Sequence, residues 1–183
     1  MSGSLHFGHF AIAYAKTRIL IKIRVEGVGM IIGIVGAGQD KLTVETEAVA
    51  RATIRKILRD NPTATITSGH SKKKGIDIIV EEEFYLNRTT GGLWIRAPII
   101  EAWPKQGEGY GYKARNTDIA KADLVVVFVV KEYPPEYKFE DWEPKTPYCY
   151  HCKDKREPHV KSGGCWTGLK AIELGHQAFW YLL

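Results

Sequence analysis

From Met30 onward the apolar residues follow two periods that alternate along the chain. "IIGIVG" is a short apolar run ending in glycine, the pattern of a strand buried on both faces. Residues 43–60 then place Val44, Ala48, Val49, Ala52, Ile57 and Leu58 at helical spacing, and Asn61-Pro62 stops that helix. "TATITSG" predicts a second strand, "GIDIIVEEEFYLN" a second helix and "GGLWIRAP" a third strand after a Gly-Gly turn. "ARNTDIAKA" predicts a short helix and "DLVVVFVV" a strand without a polar interruption. After a long irregular stretch, "WTGLKAIELG" predicts a helix and "QAFWYLL" a closing strand. Strands and helices in strict alternation imply an α/β fold: a Rossmann-like parallel sheet of about five strands, with helices on both faces and right-handed crossovers.

The alternation makes residues 30–183 one domain, with 131–161 as an inserted loop. Residues 1–29 fit it poorly. Ile19 to Val25 alternate like an extra strand or a loose arm, and Met30 is itself a natural opening for the domain. Two readings stand: an N-terminal extension, or a start assigned too early. His6 and His9 in that stretch are expected to be solvated.

In such sheets ligands bind beyond the carboxyl ends of the strands, so the loops there carry the candidate chemistry. Strand one is followed by Gly36, Gly38 and Gln39, which lack the third glycine of a dinucleotide fingerprint and read equally as a plain turn. Strand two is followed by Ser68, Gly69, His70, the lysines 72–74, Gly75 and Asp77. Asp77 suits a helix cap or a ribose hydroxyl, and His70 a proton donor or an exposed loop residue. Arg115 and Asn116 open the next helix, where they can meet phosphate and sugar, or Asn116 can simply cap it. Gly163 and Gly164 precede the last helix, with Thr167 in its first turn, where unpaired N–H groups suit an anion.

Charge changes little in this picture. The formal net charge of +5 divides into +3 over residues 1–29 and +2 over the rest, so the main body alone does not argue for nucleic acid. At 183 residues, 44% hydrophobic and 26% charged, the chain has the composition of a globular domain. Lys22 and Arg24 break "ILIKIRV", so that run suits neither a membrane span nor a secretory core. Three cysteines, all in the C-terminal third, do not make a secreted disulfide framework. These features together read as a cytoplasmic protein without a membrane partner. A homo-oligomer is compatible with them.

The cysteines change more. A structureless loop as long as 131–161 needs an organiser. Cys149 and Cys152 have zinc-knuckle spacing, and His159 and Cys165 follow to give C-x2-C-x6-H-x5-C, a Cys3His set able to close a tetrahedral zinc site. His151 in place of His159 is a variant, made awkward by its position between the two cysteines. A redox pair of Cys149 with Cys152, or simple reduced thiols, are the alternatives. No redox cofactor is expected.

The succession "GIVGAGQ", "TSGHSKKKGID", "ARNTDIAKADLVVVF" and "SGGCWTGLKAIELG" resembles the SLOG superfamily. Its members are Rossmann-like domains related to the Lonely-Guy phosphoribohydrolases, the DNA-processing protein DprA and the nucleotide-sensing domain of TRPM channels. The likeness is greatest to a small prokaryotic branch with a Ser-Gly…Gly-x-Asp loop, an Arg-Asn pair and a final Gly-Gly turn. It spans roughly residues 30–183 without the insertion and rests on short motifs. It implies a nucleotide or nucleotide-derived ligand at the Gly36–Gln39, Ser68–Gly75 and Gly163–Thr167 loops. Aligned on the phosphoribohydrolase motif, Thr167 takes the place of its threonine and Lys170 that of its catalytic glutamate, so that activity does not carry over. Three functions follow as expectations: nucleotide binding, as in a sensor; N-glycosidic hydrolysis or transfer, with Asp77, Asn116 and Glu173 as candidate groups; and single-stranded nucleic-acid binding, with Tyr148, Tyr150 and Trp166 available to stack.

Overall fold

The computed structural model describes residues 29–71, 74–86, 94–96, 112–139, 145, 147–152 and 157–183. The expected N-terminal arm, Lys72 and Lys73 lie outside these residues. The strands are β1 (Ile31–Gly36), β2 (Thr65–Ser68), β3 (Trp94–Arg96), β4 (Leu124–Val129) and β5 (Gln177–Leu182). The helices are α1 (Val44–Asp60), α2 (Ile76–Leu86), α3 (Tyr112–Ala120) and α4 (Gly163–Glu173). The strand order is β3-β2-β1-β4-β5, and every neighbouring pair is parallel. The protein is therefore α/β, with a parallel sheet flanked by helices, as the alternation of periods predicts. Among the described residues no helix is long and apolar enough to cross a membrane.

Strand periodicity of two divides the core. Ile32 and Ile34 of β1 and Leu124, Val126 and Phe128 of β4 share one cluster with Ala50 and Ile54 of α1 and Ile76, Ile79 and Val80 of α2. Val35, Val125, Val127 and Val129 alternate with them and join Ile119 and Ala120 of α3, Ala171 of α4 and all three cysteines. All six residues of β4 are buried, as expected for a central strand with no polar position.

Two sequence expectations shift. Helix α1 does not bury Val44, Ala48, Val49 and Ala52; Val44 is 82% exposed and Val49 54%. The buried row is Ala50, Ile54, Ile57 and Leu58, spaced i, i+4, i+7, i+8. Both rows satisfy the helical period. The longer aliphatic side chains remove more apolar area from water, so they decide which side faces the sheet. Helix α4 begins at Gly163, three residues earlier than expected, with Ser162 as its cap.

Candidate ligand edge and metal centre

Strand order reverses between β1 and β4, whose successive connections leave in opposite directions, and this switch point is where α/β sheets form their ligand crevice, beyond the carboxyl ends of the strands. Gly36 closes β1 there, and α4 begins directly against it. A Cβ on Gly164 would lie 3.0 Å from both the Cα and the N of Gly36, tighter than ordinary contact, so glycine lets the helix start this close to the strand without displacing it. Ser162 caps α4 by accepting the N–H of Gly164 on its Oγ at 3.2 Å. The two glycines thus form the first turn instead of preceding it, and the N–H of Gly164 is already held. Gly163 is exposed, with nothing among the described residues within 4 Å of where its Cβ would be. Thr167 falls in the second turn, fully buried, with no hydrogen-bond partner for its Oγ1 among the described residues.

Beside this crevice, the end of β2 gathers most of the other expected residues. Ser68 donates its hydroxyl to the carbonyl of Asp77 at 3.4 Å. Gly69 leaves room for this pair, since a Cβ there would press on the Asp77 carboxylate and lie 3.1 Å from the Arg115 guanidinium, so that one of them would have to move. Arg115 donates from Nη1 to the Gly69 carbonyl at 2.7 Å, and from Nε and Nη2 to the Asn116 side-chain oxygen at 3.2 and 3.1 Å. Gly75 has a φ of +74° and lies against Ala37 and Gln39, and the neighbouring Ile76 donates its N–H to the Ala37 carbonyl at 3.0 Å. The loops after β1 and β2 are joined through this turn.

Asp77 is buried at the centre of this assembly. Burial pushes its carboxyl up to about 6, against the opposing pull of Arg115, the Ser71 N–H, His70 and the Gly36 N–H. His70 adopts a φ of +44°, uncommon for a residue with a Cβ, and pairs through Nδ1 with Glu81. Asp77 and Glu81 stand one helical turn apart on α2, a spacing that would have flagged Glu81, which the motifs alone do not single out.

Other expected residues fall elsewhere. Helix α3 starts at Tyr112, so Arg115 and Asn116 lie within it and Asn116 is not its cap. Gln39 is exposed in a 3-10 turn (Gln39–Lys41) capped by Gly38, and donates its amide to Glu47 at 2.7 Å. Glu173 ends α4, close to where β5 begins and therefore at the opposite edge of the sheet, and pairs with Lys170 at 2.6 Å. The structure does not bring it to Asp77 or Asn116.

The inserted segment has its own organisers. Tyr133, Tyr137 and Phe139 form a mutual aromatic cluster with centroids 4.4 to 5.0 Å apart, and the Lys41 ammonium sits 5.4 Å from the centroids of both tyrosine rings. Farther along, the Cys152 N–H bonds the Cys149 carbonyl at 3.0 Å, closing the turn that aims both thiols the same way. These two sulfurs, His159 and Cys165 are all buried, and their donor atoms lie within 4.8 Å of one another. In a tetrahedral zinc site, sulfur and nitrogen donors stand about 3.5–4 Å apart. The donor set fits a metal ion such as zinc.

The hydrogen bonds around the four donors agree. His159 Nδ1 lies 2.6 Å from the Glu157 carbonyl, an acceptor only, so Nδ1 carries the proton and Nε2 is the donor atom facing the cluster, 3.3 Å from Cys165 Sγ. His151 instead places Nδ1 3.7 Å from Cys149 and stands outside the cluster. Hydrogen bonds from Cys152 and Cys165 hold the Cys149 thiol far below its ordinary range, while contacts with Cys149 and Cys152 push Cys165 up. Burial opposes the charged form of His159, but the bonds to Cys149 and Cys152 outweigh it and raise the imidazole to about 10. A divalent cation held by the three sulfurs and Nε2 would take the place of the proton that His159 otherwise carries on the cluster side.

No family model, curated protein or solved structure matches this chain.

Proposed function

We propose that this Rossmann-like sheet binds a nucleotide or nucleotide-derived ligand at its carboxyl edge, as a sensor domain does, and that zinc fixes the inserted segment bordering the site. The contact of Gly164 with Gly36 at the strand switch carries the reading. Through it the start of an 11-residue helix, with its N-terminal partial positive charge, lies over the crevice in which α/β sheets take their ligands. The exposed Gly163 end of α4 offers the phosphate position. Arg115, Asn116 and the Ser68–His70 turn supply polar groups for ribose or base. Three thiolates and one imidazole favour zinc over harder ions.

A thermal-shift panel of mononucleotides, dinucleotides, ADP-ribose and cyclic nucleotides tests this. A ligand at one hundred times its Kd stabilises by about 2.7 kcal/mol, which is roughly 5–10 °C for a chain of this size. Gly163→Asp puts a carboxylate at the helix start without a clash, so it should keep the fold and lose the shift. No shift with any nucleotide refutes the reading.

A second reading, N-glycosidic cleavage of the bound nucleotide, is favoured by one observation: a buried carboxyl near neutrality, Asp77, beside a histidine held by Glu81. Release of free base, followed by chromatography, separates it from binding alone.

A further inference from the structure

The knuckle turn has an outer face that the ligand edge does not use. Along Tyr148-Cys149-Tyr150 the side chains alternate: Cys149 is buried, whereas Tyr148 is 45% and Tyr150 47% exposed. Cross-linking the turn through its cysteines therefore fixes two aromatic rings at the surface. Tyr150 is flanked by the His151 ring, with centroids 4.2 Å apart, and by the Lys161 ammonium, 5.4 Å from its centroid. Charge along the insertion is segregated as well. Residues 131–144 carry a net charge of −3, and residues 145–161, which contain the knuckle, carry +3. A near-neutral domain thus concentrates positive charge in the segment that displays the tyrosines.

We infer that Tyr148, Tyr150 and Lys161 form a stacking surface for single-stranded nucleic acid. Exposed rings accept any base face, and a cation beside them meets the backbone phosphate, so the surface favours unpaired strands over duplex and is tolerant of sequence. A protein partner would call for an apolar groove around the rings; the groups beside Tyr150 are an imidazole and an ammonium. Recognition here is independent of the nucleotide pocket, because Gly163 and the Asp77–Arg115 cluster take no part in it.

Fluorescence anisotropy with labelled oligo(dT) and oligo(U) of about twelve nucleotides, and with a DNA duplex as control, tests the inference on the full metal-loaded chain. Saturable binding of one or both single strands is expected, weakening as salt is raised. Tyr150→Ala should weaken it about five-fold or more, Tyr148→Ala likewise, and Tyr150→Phe should retain it. Far-UV circular dichroism and metal content, measured on each variant, establish that the knuckle is intact. A preference for DNA or for RNA identifies the natural strand, and either supports the surface. Absence of binding at about 50 mM salt, equal binding of duplex, or intact alanine variants that bind like wild type would overturn it. Strand binding is read with no nucleotide present and the nucleotide shift with no strand present, so failure here and failure of the nucleotide reading are distinguishable.

Discussion

Asp77→Asn isolates the cost of keeping a carboxylate at the centre of the ligand edge. Burial raises the carboxyl from 3.8 to about 6, so the native state holds its proton over a pH range in which the unfolded chain has already released it. The native state then binds more protons than the unfolded state between these values, and stability falls as pH rises through that window. A displacement of this size is worth about 3 kcal/mol, lost progressively from near pH 4 and fully lost by about pH 7. Asparagine retains an oxygen for the Ser71 and Gly36 N–H groups but cannot ionise. Wild type and variant should therefore be compared by urea unfolding at intervals from about pH 4 to pH 7, using tryptophan fluorescence and linear extrapolation. The variant should gain on the wild type by about 3 kcal/mol across that range, whatever their offset at its acid end. Glu83 titrates in the opposite sense: burial pushes its carboxyl up, but Arg55 and Arg51 pull it down further, and this contribution is common to both proteins and cancels. Parallel pH profiles would refute the placement of Asp77 as a buried, net-destabilised carboxylate.

The remaining predictions concern the knuckle and the start of α4. Cys165→Ser removes one of four donors, so metal content should fall from one ion per chain and the thermal midpoint should drop by roughly 10 °C; chelated wild type should overlay the variant when both are scanned by differential scanning fluorimetry. Gly168→Ala should cost about 1–3 kcal/mol in urea unfolding, because its Cβ would lie 2.7 Å from Val127 and 2.8 Å from Trp180. Gly163→Ala meets nothing within 4 Å among the described residues and should leave stability unchanged or slightly raised in the same assay.

Much of this architecture is legible in the residue pattern because it depends on local period. "DLVVVFVV" can only be a strand buried on both faces, and the cysteine and histidine spacing brings four donors to one point without knowledge of the sheet. The misses arise where two local solutions are equivalent. Helix α1 has two rows at helical spacing, and the choice rests on how much apolar area each gives to the cluster shared with the sheet and α2, which holds Ile54 and not Val44. Helix α4 starts on two glycines despite their poor helical propensity, because Ser162 caps it and Gly36 crowds any Cβ at position 164. Arg115 and Gly69 are 46 residues apart, and no periodicity announces that one would hold the other's carbonyl.

Native mass spectrometry of the purified chain weighs metal and nucleotide on the same molecule, and so reaches the knuckle and the ligand edge together. One zinc ion per chain is expected and, with added nucleotide, a saturable adduct that wild type forms and Gly163→Asp does not. A chain that flies without metal, or that takes up no nucleotide when wild type and variant are titrated side by side, would contradict the proposed function.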